Sequence, residues 1–293
     1  MPKIKLRDPN ALVSGDWLER HLNEPDVRIF DCSTILNFDT GDDRPYEVIN
    51  CQSEHEAGHI TGASYFDLQA DFSQQNSPFA MTLADPTTVA AAFARAGISD
   101  GSRVVLYSRR SISWATRFWW MLRWLGFDNA AVLDGGYEGW LAEGRSTTKE
   151  TSTYAPGLLS VKLRPNLFVG KEQVLAAIDD RSTCTVNALG SDIYSGENPR
   201  YGRAGRVPAS VSVPQISLVD PTTHKFKSPA AIAEQFASVG ADNASKHIAY
   251  CGGGIFATVD AFWLHQLGHS EVSVYENSMS EWGPDESLPI ECD

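Results

Sequence analysis

Short apolar runs alternate with longer amphipathic stretches through most of the chain. Three runs have the length and β-branched content of buried strands: residues 27–30, 104–107 and 131–133. Three other stretches place apolar residues at helical spacing: residues 14–22, 86–96 and 115–125. Glycines follow several predicted helices, where a C-cap belongs: Gly97, Gly126, Gly240 and Gly268. The alternation predicts an α/β fold with a mostly parallel sheet flanked by helices.

The second half of the chain repeats the pattern of the first. Residues 104–126 match residues 247–268, and residues 132–140 match residues 274–282 with the same internal spacing. Segments further upstream correspond in the same order. A match that keeps its order over several segments indicates two similar domains.

The extent of the repeat predicts the domain boundaries. We expect an N-terminal domain at residues 1–145 and a C-terminal domain at residues 163–293. Residues 146–162 lie between them, begin with a polar stretch rich in Thr and Ser, and lack periodicity. We therefore predict that this segment is a linker.

Composition narrows the range of partners. The 293 residues are 42% hydrophobic and carry a formal net charge of −13, which disfavours binding to the phosphate backbone of nucleic acids. No stretch reaches the roughly 18 apolar residues of a membrane span. The first residues lack the apolar region of a secretory signal. We expect a cytoplasmic protein with neither a nucleic-acid nor a membrane partner.

One of the five cysteines stands in a pattern that suits catalysis. Cys251 follows a predicted strand at residues 247–250, and a glycine-rich loop leads from it into a helix. Parallel sheets bind ligands at this end of their strands, and the N–H groups of such a loop stabilise negative charge. The pattern predicts a nucleophilic thiolate of lowered pKa. The residues expected to supply backbone donors are Gly252, Gly253, Gly254, Ile255, Phe256, Ala257 and Thr258.

Two cysteine chemistries use a loop of this kind. A phosphatase loop needs an Arg six positions after the Cys, where this chain has Ala257. A persulfide carrier needs only the thiolate and a ring of N–H donors. The loop therefore favours sulfur transfer, and a buried structural cysteine beside a tight turn is the alternative.

The chain resembles the tandem-domain rhodanese family of thiosulfate and 3-mercaptopyruvate sulfurtransferases. The supporting motifs are GHITGA at residues 58–63, RFWW at residues 117–120, LDGG at residues 133–136 followed by Trp140, the Cys251 loop, and SEW at residues 280–282. The resemblance implies two rhodanese-like domains, of which only the C-terminal one is catalytic. Ser108 occupies the place of Cys251 in the first copy, and a serine without a base does not carry a persulfide.

The resemblance also implies an activity and its partners. Cys251 would take sulfur from a small anionic donor, thiosulfate or 3-mercaptopyruvate, and pass it to cyanide, a thiol or a thioredoxin-like protein. No metal or organic cofactor is expected. The alternative is a non-catalytic rhodanese-like module for binding or sensing.

Donor binding is expected to involve arginines and the charge of the loop. The resemblance assigns the donor to Arg200, with Arg203 or Arg206 as alternates. The alternative for each of them is a solvated basic loop. The neutral glycine loop is similar to that of members that prefer mercaptopyruvate. Three positions depart from the family pattern: Arg206 in the second Gly-x-x-Pro segment, Glu276-Asn277 in place of Asp-Gly, and Phe256 where a small or hydroxylated residue is usual.

Overall fold

The structure, a computed structural model, describes residues 4–41 and 44–293. Its N-terminal half contains strands β1 (Leu12–Val13), β2 (Val27–Asp31), β3 (Thr34–Asn37), β4 (Glu47–Asn50), β5 (His59–Ile60), β6 (Ala63–Tyr65), β7 (Arg103–Tyr107), β8 (Ala130–Leu133) and β9 (Thr147–Thr148). Its helices are α1 (Gly15–His21), α2 (Gln52–Ala57), α3 (Leu68–Asp71), α4 (Pro86–Arg95), α5 (Ser113–Trp124) and α6 (Gly136–Ala142).

The C-terminal half repeats much of this series with fewer elements. Its strands are β10 (Phe168–Val169), β11 (Thr183–Asn187), β12 (Val211–Ser212), β13 (Lys246–Tyr250) and β14 (Glu271–Tyr275). Its helices are α7 (Lys171–Ala177), α8 (Ser191–Ser195), α9 (Pro229–Ser238), α10 (Ala257–Gln266) and α11 (Ser278–Trp282).

Each half is built on one five-stranded parallel sheet. The strand order is β1-β8-β7-β2-β6 in the first sheet and β10-β14-β13-β11-β12 in the second, and all neighbours run parallel. The two orders are the same when equivalent strands are matched. The prediction of two similar α/β units with mostly parallel sheets is confirmed.

The predicted elements agree with the observed ones to within one or two residues. The four glycines that follow helices all have positive φ, between +75° and +106°, as expected of C-caps. Thr147 and Thr148 form β9, which pairs with β5, and residues 149–164 contain no helix or strand. The Tyr154 hydroxyl donates to Gly62 O at 2.6 Å, which attaches this segment to the N-terminal half.

The two halves share a hydrophobic core. Helices α5 and α10, which follow equivalent strands, pack against each other across the interface. The ring centroids of Trp119 and Phe262 lie 4.9 Å apart there, and one apolar cluster extends through both halves. The packing brings the loop before α10 against the N-terminal half. Among the described residues, no helix has the length and apolarity that a membrane crossing needs.

Candidate active site

Cys251 lies at the carboxyl end of β13, with 1% of its surface exposed. Its N–H donates to Ser278 Oγ at 3.0 Å, and its carbonyl accepts from the N–H of Met279 at 3.0 Å. Ser278 and Met279, which follow β14, therefore hold the backbone of Cys251 in place. In the first copy the N–H of Tyr137 donates to Ser108 O in the same way, also at 3.0 Å.

Backbone N–H groups surround the sulfur of Cys251. Those of Gly253, Gly254, Ile255 and Ala257 hydrogen-bond to the thiol and lower its pKa, but burial has the larger effect, so the pKa is raised from its ordinary value. The prediction of a lowered pKa is therefore wrong for this enclosed side chain. The ionised form loses more hydration in the closed pocket than four donors replace.

The other predicted donors have different contacts. The N–H of Thr258 donates to Ile255 O at 3.0 Å within the first turn of α10. The carbonyl of Gly252 accepts from the N–H of Ser280 at 2.8 Å. The side chain of Phe256 is half-buried and lines the pocket next to the sulfur.

The three glycines after Cys251 permit close approach of other groups. A Cβ on Gly252 would collide with the Tyr201 hydroxyl, and one on Gly253 would collide with the Tyr46 hydroxyl. Gly254 has a φ of +73°, and a Cβ there would collide with the carbonyl of Glu276. The loop is thus held between two tyrosines on one side and the segment after β14 on the other.

Both halves of the chain line the pocket over Cys251. Its lining residues are Leu36, Tyr46 and Met81 from the first half, and Tyr201, Cys251, Gly252, Gly253, Ile255 and Phe256 from the second. The free volume is about 10 Å³, close to the smallest cavity that holds one water molecule. A sulfur donor therefore needs the pocket to open.

The two tyrosines of this pocket were not among the residues expected from the sequence. The Tyr46 hydroxyl lies 3.2 Å from Ser280 Oγ, and burial raises its pKa to about 12. Burial also raises the pKa of Tyr201 well above its ordinary value. Tyr201 adjoins Arg200 in the sequence, but Tyr46 lies directly before β4 within a β3–β4 hairpin whose place in the second half is taken by α8.

Arg200 directly precedes Tyr201, which lines this pocket. Its guanidinium is 4.2 Å from the ring centre of Phe38. The rings of Phe38 and Tyr46 are 6.4 Å apart, and those of Tyr46 and Tyr201 are 6.5 Å apart. A row of three aromatic rings thus leads from Arg200 to the wall of the pocket.

Arg203 and Arg206 are engaged within the fold. Arg203 donates to four backbone carbonyls at 2.6 to 3.0 Å, those of Trp282, Gly283, Asp285 and Leu288. Arg206 forms ion pairs with Glu291 at 2.6 Å and Asp293 at 2.7 Å. Both side chains therefore attach their loop to the C-terminal segment.

The equivalent loop of the first half contacts its own domain. The Ser108 hydroxyl donates to Ser111 O at 2.7 Å. Arg109 is buried, with its Nε 3.5 Å from Asp31, and Arg110 pairs with Glu54 at 2.8 Å. This loop presents no nucleophile.

The geometry is that of a cysteine in a ring of N–H donors, between two copies of one fold. The family model described as rhodanese-like domain matches residues 14–143 and 192–285. The chain belongs to the rhodanese-like domain family. The predicted resemblance is thereby confirmed.

Similar proteins support an enzymatic class. The chain is 29% identical to 3-mercaptopyruvate sulfurtransferase of Escherichia coli strain K12, over 95% of this chain and 97% of that protein. It is 29% identical to thiosulfate sulfurtransferase of Rattus norvegicus, over 93% and 91%. The crystal structure of SseA, a 3-mercaptopyruvate sulfotransferase from Escherichia coli, matches with a TM-score of 0.80 and 26% identity, over 92% of this chain and 98% of that one. These similarities confirm the predicted class, a sulfurtransferase.

Proposed function

We propose that the protein moves a sulfur atom from 3-mercaptopyruvate to a thiol acceptor, by way of the sulfane sulfur of a persulfide on Cys251. The observation that carries this proposal is the ring of four N–H donors around the Cys251 sulfur. The loop residues from Gly252 to Phe256 are all uncharged. Neutral donors suit a terminal sulfur that carries one negative charge.

The first half-reaction transfers one sulfur atom. The Cys251 thiolate attacks the sulfur of 3-mercaptopyruvate, the carbon–sulfur bond breaks, and its electron pair leaves with the enolate of pyruvate, which then takes up a proton. Cys251 is left as a persulfide. With thiosulfate the same attack would release sulfite. The N–H groups of residues 253–255 stabilise the charge that develops on sulfur.

The second half-reaction regenerates the thiolate. The sulfur of an acceptor thiolate attacks the outer sulfur of the persulfide, and the sulfur–sulfur bond to Cys251 breaks. A small thiol or a thioredoxin-like protein would serve as acceptor, and cyanide would give thiocyanate. None of these steps calls for a metal or organic cofactor.

The cytoplasmic location expected from the sequence stays a prediction.

Arg200 is the proposed binding partner of the donor carboxylate. It adjoins Tyr201 of the pocket in the sequence, and its guanidinium rests on Phe38 with no ion pair among the described residues. The four carbonyls that hold Arg203 make it a weaker candidate. Movement of the row formed by Phe38, Tyr46 and Tyr201 would open a path between Arg200 and Cys251.

A direct comparison of donors tests the proposal. Thiocyanate formation is measured with 3-mercaptopyruvate and with thiosulfate, each with cyanide as acceptor. We expect turnover with a higher kcat/KM for 3-mercaptopyruvate, complete loss in Cys251→Ser, and full activity in Cys292→Ser, whose thiol is exposed and outside the pocket. The Cys251 peptide should gain about 32 Da, one sulfur atom, after donor alone.

Two results would contradict parts of this proposal. A preference for thiosulfate would overturn the choice of donor but leave the persulfide chemistry intact. No turnover and no mass gain at Cys251 with either donor would favour the alternative, a non-catalytic binding module. The small free volume over Cys251, about 10 Å³, is the observation that favours this alternative.

A further inference from the structure

Arg117, from the half of the chain that lacks the nucleophile, contacts the catalytic loop directly. It is the first residue of the RFWW motif on α5, and its side chain is fully buried. Its Nη1 donates to the carbonyl of Gly254 at 3.2 Å. The same guanidinium forms a two-point ion pair with Glu276, at 2.9 and 2.6 Å.

The carbonyl that Arg117 contacts belongs to a peptide that faces the sulfur. The carbonyl of Gly254 and the N–H of Ile255 are the two ends of one planar peptide unit. The N–H of Ile255 is among the donors to the Cys251 thiol. A cation on the carbonyl end fixes the orientation of that peptide and makes its N–H a stronger donor.

Arg117 also holds the opposite wall of the pocket. Its Nη2 lies 3.4 Å from the carbonyl of Met81, whose side chain lines the pocket. Glu276 Oε1 accepts from the N–H of Leu83 at 2.6 Å. One ion pair thus connects the catalytic loop with residues 81–83 of the first half.

The internal repeat allows the Arg117–Glu276 contact to be compared with its counterpart in the other copy, which only connects the two halves. Asp134 is the counterpart of Glu276, and its Oδ1 accepts from the N–H of Phe226 at 2.8 Å, again across the interface. Val259 stands where Arg117 stands in the other copy. Asp134 thus keeps its backbone contact across the interface although Val259, and not an arginine, stands at the corresponding position of α10. The contact between the two halves therefore does not require an arginine.

We propose that Arg117 is a positioning residue for sulfur transfer, which orients and polarises the Gly254–Ile255 peptide so that its N–H stabilises the Cys251 thiolate and persulfide. This inference rests on the proposed function of Cys251. It gives the N-terminal half a part in the chemistry, through a cation that does not itself touch the donor.

The pKa of Cys251 distinguishes a positioning role of Arg117 from a purely structural one, because a purely structural contact would leave this pKa unchanged. Among the described residues, the tyrosines Tyr46 and Tyr201 interact electrostatically with Cys251, and burial raises the pKa of both. They stay protonated between pH 6 and 10 in the assay, so the midpoint reports the thiol. The rate of alkylation of Cys251 by iodoacetamide is followed at this peptide by mass spectrometry across that range.

Three variants distinguish the effect of the Arg117 charge on Cys251 from the effect of the ion pair on the contact between the two halves. Arg117→Met removes the cation, and we expect the midpoint to rise and alkylation at pH 8 to slow about three- to tenfold. Arg117→Lys keeps the charge and should restore most of the rate. Glu276→Gln breaks the same ion pair but leaves the cation on Gly254, so its midpoint should stay or fall. Thermal unfolding reports the stability that both neutral variants lose.

The comparison has a clear contrary outcome. Equal upward shifts in Arg117→Met and Glu276→Gln, or an unchanged midpoint in a folded Arg117→Met, would overturn the proposal. If Arg117→Met does not fold, Arg117→Gln carries the same comparison, since it loses the charge but keeps a donor. Alkylation needs no sulfur donor, so this result is independent of whether sulfur transfer is found.

Discussion

The side-chain oxygens of Thr116 and Thr258 lie 2.8 Å apart, fully buried at the interface between the two halves. The two threonines occupy the same position in the two copies, each in the first turn of the helix after the loop that does or does not carry the nucleophile. Each hydroxyl also lies near a carbonyl of its own half, Ser113 O at 3.0 Å for Thr116 and Ile255 O at 2.6 Å for Thr258. The internal repeat thus produces a near-symmetric contact next to the Cys251 loop.

Removal of either hydroxyl should weaken this interface. We expect Thr116→Val and Thr258→Val each to lower the free energy of unfolding by about 1 kcal/mol, since the remaining hydroxyl loses a buried partner. The double variant should cost less than the sum of the two, because it leaves no unpaired hydroxyl across the contact. Urea unfolding of the four proteins measures the coupling, and strict additivity would contradict the contact.

Truncation of Arg200 should affect donor binding, whereas truncation of Arg203 should affect stability. Arg200→Ala removes a cation that rests on Phe38, so we expect KM for 3-mercaptopyruvate to rise about tenfold with little loss of stability. Arg203→Ala removes the donors to four partly buried backbone carbonyls, so we expect a fall of about 2 to 3 kcal/mol in the free energy of unfolding. Steady-state kinetics and urea unfolding on both variants check this, and a larger KM effect in Arg203→Ala would reverse the assignment.

The Tyr201 hydroxyl should contribute to turnover. It lines the pocket with Cys251 and makes no hydrogen bond to another described residue, so it is free to donate to a bound donor or to the persulfide. We expect Tyr201→Phe to lower kcat/KM about tenfold. Tyr194→Phe is the matched control, because its hydroxyl donates to Ser210 O at 2.5 Å outside the pocket. Equal effects in the two variants would rule out a local role.

Two glycines with positive φ should respond differently to a methyl group. Gly254→Ala places a Cβ against the carbonyl of Glu276, whereas a Cβ on Gly268 has open space around it. Both changes carry the backbone cost of positive φ, about 1 kcal/mol. We expect Gly268→Ala to keep full activity and Gly254→Ala to lose most of it, because the loop must move away from Glu276 and its N–H donors then shift relative to the sulfur. Retained activity in Gly254→Ala would show that the loop tolerates the shift.

The sequence predicts what depends on local pattern. The strand before Cys251, the glycine loop and the helix after it follow from periodicity and turn chemistry, and the repeat predicts that they occur twice. The direction of the Cys251 pKa shift was predicted wrongly because the N–H donors are local in sequence, whereas part of the burial comes from Tyr46 and Met81 of the other half. Tyr46 has no equivalent in the second copy, so neither pattern nor repeat could have placed it at the site. Arg117 stood in a recognised motif, but its partner Glu276 is 159 positions away.

The last prediction concerns His265, whose ring Nδ1 lies 3.1 Å from Arg7 Nη1. Burial, followed by the charges of Arg123 and Arg7, lowers the pKa of His265 to about 3. The unfolded chain therefore takes up this proton first as the pH falls below about 6.5, and stability is lost from there down to about pH 3. Between pH 7 and 5 this histidine should cost about 1 kcal/mol of unfolding free energy, after allowance for solvent screening.

A variant isolates that contribution from opposing groups. Asp134 has a pKa raised by burial to about 6, so its contribution to stability is present at low pH and is lost as the pH rises through that value. The absolute pH dependence therefore mixes both signs. His265→Gln keeps an acceptor for Arg7 but cannot titrate, so urea unfolding at pH 7 and pH 5 should show a smaller loss in the variant than in the parent, by about 1 kcal/mol. An identical loss in the two proteins would mean that His265 takes up its proton as readily in the folded state as in the unfolded chain.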